Sequence, residues 1–268
     1  MEPLVLSRYK LNAFLACQRR FQLRYVTRLA WPTPPNTPSL TTAFERGERF
    51  HRMLEQHFLG LPVTLPAEAD ERFRRWWRAF EATPPAIPPG RRYPEMSLSV
   101  PLGEHLLFGR FDLLVLNETE AHIFDWKTER EPRSAETLAG DLQTRLYLAL
   151  IAEGSSALGR SVPPEQIAIT YWFANAPERS VSLTYDTPSH LRFWAELTAA
   201  VGRIERRLIA PTAIWPLTDN WEECAQCGYR AFCGRHVPPV RLGESDLSAE
   251  EEERGEINLE PDAPGVSP

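Results

Sequence analysis

Residues 105–128 read HLLFGRFDLLVLNETEAHIFDWKT. Apolar and polar residues alternate through 105–116 and again through 121–128, and Asn117 to Glu120 reads as the turn between them. The pattern predicts two strands joined by a short hairpin. Residues two apart on a strand share a face, so Asp125 and Lys127 point one way and Trp126 points the other, into packing. The hairpin lets Asp112, in Gly109-Arg110-Phe111-Asp112, face Asp125 across the ladder. Two facing carboxylates repel unless a cation lies between them. Mg²⁺ and Mn²⁺ prefer such oxygen ligands.

Working outward, residues 95–100 also alternate, and Glu95 offers a third carboxylate from that strand. Three helices are expected before it, over 7–29 with Ser7 as N-cap, 41–59 and 69–82. Proline-rich connectors separate them at 31–38 and 84–90. After the hairpin come a helix over 136–153, strands over 166–174 and 179–186, and a long helix over 189–208. This order predicts an α/β core with helical additions. Two helical pairs point toward the carboxylates. Gly47 and His51 are four apart and share a face, the glycine permitting close approach and the histidine supplying a nitrogen ligand better suited to Mn²⁺ than to Mg²⁺. Gln143 and Tyr147, also four apart, follow the Asp125 strand. Taken singly, each residue has an ordinary reading: a lone helical histidine is usually structural, and an exposed Asp125–Lys127 pair is worth at most about 1 kcal/mol.

The chain has 268 residues, 43% hydrophobic and 25% charged, enough for one sizeable core. Its net charge is −6, but residues 241–268 alone carry −7, so residues 1–240 are near neutral at +1. The acidic, aromatic-poor segment 241–268 reads as a disordered tail. Arg-dense clusters at Arg19-Arg20, Arg72 to Arg78, Arg91-Arg92 and Arg203 to Arg207 are of the kind that contacts phosphates, or are solvated helix faces. Only two lysines occur, Lys10 and Lys127, against 28 arginines. No stretch approaches the ~18–20 apolar residues of a membrane span. The N-terminus shows no apolar signal-peptide core, so no membrane association and a cytoplasmic location are expected.

Gly47 and His51, Pro94-Glu95, Gly109 to Asp112, Asp125 to Thr128, and Gln143 with Tyr147 occur in that order over residues 45–150. The series resembles the RecB-like branch of the PD-(D/E)XK nuclease superfamily. Any one motif is weak; five in order are specific. The resemblance implies a restriction-endonuclease-like core, a small mixed sheet flanked by helices. It implies that His51, Glu95, Asp112 and Asp125 bind Mg²⁺ or Mn²⁺, that Asp112, Asp125, Glu95 and Lys127 are catalytic, and that Arg110, Gln143 and Tyr147 contact DNA. The expected activity is a DNA nuclease, an exonuclease on single strands or duplex ends, hydrolysing phosphodiesters with metal-activated water. The alternative is a non-catalytic DNA-binding subunit of a helicase–nuclease or CRISPR-adaptation complex. No P-loop occurs, so any helicase would be another chain.

The four cysteines form one further set. Cys224, Cys227 and Cys233 have C-x2-C-x5-C spacing, and Cys17 lies some 200 residues upstream. Four thiolates suit either zinc or a [4Fe–4S] cluster, and the residues alone leave both open, the zinc reading giving an interaction protein. The arrangement of one N-terminal and three C-terminal cysteines is similar to the iron–sulfur nucleases of the same superfamily. These are the AddB-type nuclease domain and the CRISPR-associated exonuclease family of spacer acquisition. The resemblance therefore implies [4Fe–4S] over Zn²⁺. The expected plan is a single nuclease domain over 1–240, with its core at about 91–210 and cluster-binding segments at about 7–29 and 215–236.

Overall fold

A computed structural model describes residues 3–31 and 38–235. In chain order its elements are β1 (Val5–Leu6), α1 (Arg8–Ala16), α2 (Gln18–Phe21), α3 (Pro38–Phe58), α4 (Glu71–Ala82), β2 (Arg91–Leu102), β3 (His105–Leu116) and β4 (Ala121–Lys127). Then follow α5 (Ala135–Gly140), α6 (Leu142–Gly154), β5 (Ile167–Phe173), β6 (Val181–Thr184), α7 (Thr187–Leu208) and α8 (Trp221–Ala225). The acidic segment 241–268 and most of the 31–38 connector lie outside the described residues.

The hairpin forms as its alternation predicts. β3 and β4 are antiparallel, with Leu113 opposite Phe124 and Leu116 opposite Ala121. The Asn117 carboxamide oxygen closes the turn by accepting the N–H groups of Thr119 at 2.8 Å and Glu120 at 2.9 Å, the local bonding that favours asparagine in turns. The six-stranded sheet runs β1-β3-β4-β5-β6, with β2 also paired to β3. β1 and β3 are parallel, as are β4 and β5, while β5 and β6 are antiparallel. The mixed sheet flanked by helices is the restriction-endonuclease-like architecture that the motif order implied.

Period-two alternation gives β4 two faces. Phe124 and Trp126 enter a buried core with Leu113, Val115 and Trp172, roofed by Phe50 of α3 and Phe73, Trp76, Trp77 and Phe80 of α4. The indole N–H of Trp76 reaches the Asn175 carboxamide at 2.8 Å and that of Trp172 reaches the Thr83 carbonyl at 3.0 Å. These bonds meet the polar demand of large aromatic rings placed in a core. Asp125 and Lys127 take the opposite face, toward α6.

Helix boundaries depart from the sequence expectation where side chains or distant carbonyls compete for backbone groups. The helix expected over 7–29 breaks at Cys17, whose backbone is extended (φ −160°, ψ 112°). The Arg19 N–H of the new first turn is met instead by the Pro216 carbonyl at 3.0 Å. A π-helical turn, Gln22–Val26, follows α2. The helix expected over 136–153 is two helices, because Asp141 is extended and caps α6. α3 starts at Pro38, a residue suited to a first helical turn. β1, two residues long, is too short to show a period.

By their contacts the residues divide into two compact units. One comprises residues up to 37, 101–107 and from 195 on, and holds all four cysteines. The other comprises 38–100 and 108–194, and holds the acidic constellation. Among the described residues no helix is long and apolar enough to cross a membrane.

Candidate metal centre

Asp125 and Lys127 are buried, at 3% and 9% exposure. They are not the exposed pair that their sequence allows. Lys127 Nζ lies 2.7 Å from Asp125 Oδ2. Gln143, 3% exposed, joins the pair from α6, donating through Nε2 to Asp125 Oδ1 at 2.8 Å. Its Oε1 accepts from Lys127 Nζ at a longer 3.4 Å. The α6 cap aims Gln143 there, and Asp141 is itself held by Arg133 Nη1 at 2.6 Å. The Tyr171 ring lies beneath the ammonium at 5.6 Å. Burial and the Asp125 charge push the Tyr171 hydroxyl well above its ordinary pKa.

The paired register of β3 and β4 ends at Leu113–Phe124, and Asp112 and Asp125 are the residues next beyond it. Here β3 changes faces. Gly109 and Phe111 pack against Tyr147 of α6, whereas Leu113 and Val115 lie in the α3–α4 core. Strict alternation would put all four on one face, so the strand kinks around Asp112. The Asp112 carboxylate takes the Trp126 N–H at 2.7 Å through Oδ2. Its Oδ1 lies 3.3 Å from His51 Nδ1.

Glu95 reaches the same place from β2. Its backbone is left-handed (φ +47°), which is costly for a residue with a side chain and is typical of functional sites. Arg110 Nε lies 3.2 Å from Glu95 Oε2. Among the described residues, His51, Glu95 and Asp112 form the group of three whose ligand atoms lie within 4.8 Å of one another. Three separate elements supply them.

The electrostatics of the trio are those of an anionic pocket. Burial, then the Asp112 charge, push Glu95 up to about 7, against the pull of His51 and Arg110. Burial would also raise Asp112, but His51, the Trp126 N–H and Lys127 outweigh it and hold Asp112 below the usual carboxylate range. One carboxylate thus stays ionised while its neighbour resists ionisation, the outcome when two negative charges share a small space without a cation. The donor set, one imidazole and two carboxylates, suits a divalent ion, as does the charge it would neutralise.

Comparison with known proteins then bears on the family. The sequence model of the PD-(D/E)XK nuclease superfamily matches residues 5–99 and 89–234. The chain belongs to the PD-(D/E)XK nuclease superfamily. No curated protein matches it. Among solved structures, it is similar to one named "Putative exonuclease" from Eubacterium rectale, at 12% identity and a TM-score of 0.53, over 91% of this chain and 93% of that one. It also aligns with SSO0001 at 14% identity and a TM-score of 0.41, over 88% and 89% of the two chains. At these identities the likeness concerns the fold alone.

Within this PD-(D/E)XK chain, the motif residues take specific places. A Cβ on Gly47 would meet Thr128 Oγ1 at 3.4 Å, an ordinary contact, so the approach of α3 to the end of β4 does not demand the glycine expected for it. A Cβ on Gly109 would fall 2.6 Å from Leu150 and 3.1 Å from the Tyr147 ring, so only glycine fits beneath α6. Gln143 and Tyr147, expected at the DNA, are 3% and 4% exposed. Gln143 spans the Asp125–Lys127 pair, and Tyr147 packs edge-on against Phe111 at 4.9 Å. Their four-residue spacing fixes a common helix face without saying that the face is buried. Arg110, also expected at the DNA, pairs with Glu95. Asp125 is not among the three atoms within 4.8 Å and is held instead by Lys127 and Gln143.

Two residues escaped the sequence reading. Glu55 adds a negative charge beside Glu95; its signal is the four-residue step from His51 along α3. Asn175 donates to the carbonyls of Thr128 at 3.0 Å and Glu129 at 2.8 Å, tying down the chain just after Lys127. Its place two residues past the end of β5 was legible, but its partners were not.

Proposed function

We propose that the chain is a divalent-metal-dependent DNA nuclease, with His51, Glu95 and Asp112 as direct ligands and Asp125 completing the anionic pocket. The observation that carries this reading is the convergence of one imidazole and two carboxylates from α3, β2 and β3 within 4.8 Å. A Mg²⁺ or Mn²⁺ ion bound there would polarise a phosphodiester and lower the pKa of an attacking water. The chain's own contribution is positional. His51 and the Trp126 N–H fix the Asp112 carboxylate, while the left-handed turn at Glu95 aims its carboxylate at the same point. Lys127 holds a positive charge where negative charge develops on the phosphate, and Asp125 and Gln143 hold Lys127. Single strands or DNA ends are the proposed substrates, and a helicase or CRISPR-adaptation complex is the proposed partner.

We propose that the four cysteines hold a [4Fe–4S] cluster. All four line one cavity with Arg20 and Glu223. Burial raises the Cys227 thiol, and the neighbouring Cys17 and Cys224 add to that, so thiolates gathered here need a cation among them. The donor set therefore fits a sulfur-ligated metal group.

The test is digestion of 5′- and 3′-labelled single strands and duplexes by the purified chain, with Mg²⁺ or Mn²⁺ supplied separately. Asp112→Asn keeps an acceptor for the Trp126 N–H and should fold, yet should cut about 10²- to 10³-fold more slowly. Wild-type-like cutting by Asp112→Asn overturns the assignment. DNA binding without cutting by the wild type would favour a non-catalytic subunit.

Glu95 makes the reading pH-sensitive. In the metal-free chain its carboxyl is protonated below about 7, so an incoming ion must displace a proton there and the Mn²⁺ concentration needed for half-maximal cleavage should fall as pH passes upward through about 7. The metal-free chain should lose stability as pH rises. A carboxyl whose folded pKa is raised from 4.5 to about 7 stabilises the fold at low pH, and that contribution is lost as pH climbs between those values. Melting curves with and without Mn²⁺ should diverge progressively over this window. A gap that does not change with pH would refute the role of Glu95.

A further inference from the structure

Arg20 lines the same cavity as the four cysteines. Its Nη2 donates to Glu223 Oε2 at 2.6 Å and to the Glu223 carbonyl at 3.2 Å. Its Nε is buried and meets no hydrogen-bond acceptor among the described residues. An unmet buried donor costs roughly 1–3 kcal/mol, more when charged, and in a native fold calls for a partner. Polar side chains of Glu223 and Thr218 are nearby in the cavity wall, yet neither takes this N–H. The groups acting on the guanidinium are Glu223, Cys227 and Cys17. Of these, Glu223 is already engaged through Nη2, which leaves the cysteine sulfurs of the cavity wall as the acceptors open to Nε.

We infer that the Arg20 Nε–H is a hydrogen-bond donor to the sulfur-rich anionic group held by Cys17, Cys224, Cys227 and Cys233, and that Arg20 thereby sets that group's reduction potential. The inference rests on the iron–sulfur reading above. Hydrogen bonds to sulfur and local charge are the protein's means of tuning such a cluster. Reduction adds one electron, and hence one negative charge, so a cationic donor favours the reduced form and raises the potential. Arg20 acts on the group directly, and the Glu223 side chain and carbonyl both hold its Nη2, so Glu223→Gln keeps two acceptors for it.

The chain is reconstituted anaerobically with iron and sulfide, and its cluster is titrated with dithionite as the electron donor. In Arg20→Gln the ratio of reduced to oxidised cluster at a fixed potential should fall about tenfold, or about 59 mV for a one-electron couple. Arg20→Lys keeps the charge, loses Nε–H and should fall part of the way. Glu223→Gln removes a negative charge, leaves the donor and should shift the potential upward. A merely structural Arg20–Glu223 pair would shift both variants in the same direction, and that result overturns the inference. So do Arg20→Gln and Arg20→Lys proteins with wild-type potentials. If Arg20→Gln does not fold, Arg20→Lys decides, and an unshifted potential there is fatal. A colourless wild type that takes up no iron removes the cluster reading and Arg20's role with it. A brown wild type whose variants keep its potential removes Arg20's role alone.

Discussion

Lys127→Ala should reduce DNA cleavage by about a thousandfold and should also lower the melting temperature. The two effects have different origins. The first follows from losing the positive charge placed for the transition state, where one electrostatic contact is typically worth about 10²–10³ in rate. The second follows from burial. Lys127 Nζ and Asp125 Oδ2 are 2.7 Å apart, and the two residues are 9% and 3% exposed. Removing the ammonium leaves a buried carboxylate that keeps the Gln143 Nε2 donor at 2.8 Å but has lost its adjacent positive charge. Breaking such a pair by taking one partner typically costs about 3–5 kcal/mol. Asp125→Asn and the double variant Asp125→Asn/Lys127→Ala complete a cycle with Lys127→Ala; the double removes both charges together, so it should regain most of the stability and none of the activity. The pair is checked by melting curves and single-strand digestion on the four proteins of the cycle. Cleavage by Lys127→Ala at the wild-type rate would end the catalytic assignment. An unchanged melting temperature would show that the pair is not the buried unit described here.

That pair also marks the limit of what the sequence made legible. Alternation through 105–128 was enough to give β3, β4 and the turn, even though both faces of β4 are buried along most of its length. The expected facing of Asp112 and Asp125 extends that register past its last pair, Leu113–Phe124, and the close acidic group instead joins Asp112 to His51 and Glu95. Burial was not legible, since an acid and a lysine two apart look alike on an open surface and under α6. Gln143 shows the same gap: helical spacing assigned its face, but only the approach of α6 to β4 turns that face inward. The kink of β3 around Asp112 and the left-handed Glu95 were invisible, because both break the periodicity on which the reading depends. Pro94 before Glu95 was the one local hint of an irregular strand. In the cysteine-bearing unit the break at Cys17 was hidden for another reason. It depends on the Pro216 carbonyl, about 200 residues away in the chain.

Cys17→Ala should cost the protein its iron and about 400 nm absorbance and should lower the melting temperature without unfolding the chain completely. Cys17 and Cys224 are separated by some 200 residues. A single covalent link closing so long a loop would be worth about 5 kcal/mol by chain entropy. The proposed cluster would not be the single link, however. Gln22 donates to the carbonyls of Pro211 at 2.7 Å and Ala213 at 2.6 Å and accepts from the Trp215 N–H at 3.0 Å. Phe21 stacks on Trp215 with ring centroids 6.0 Å apart, and Arg20 pairs with Glu223 at 2.6 Å. These contacts close the same loop, so its entropic cost is already partly met and the cluster adds less than the full figure. The loss expected for Cys17→Ala is therefore a few kcal/mol, short of about 5. Three samples decide it under anaerobic conditions: the iron-loaded wild type, the wild type stripped by chelator, and Cys17→Ala. The last two should melt together and below the first, because each lacks the same clasp. Stripping that leaves the melting temperature where it was would refute a structural role for the cluster.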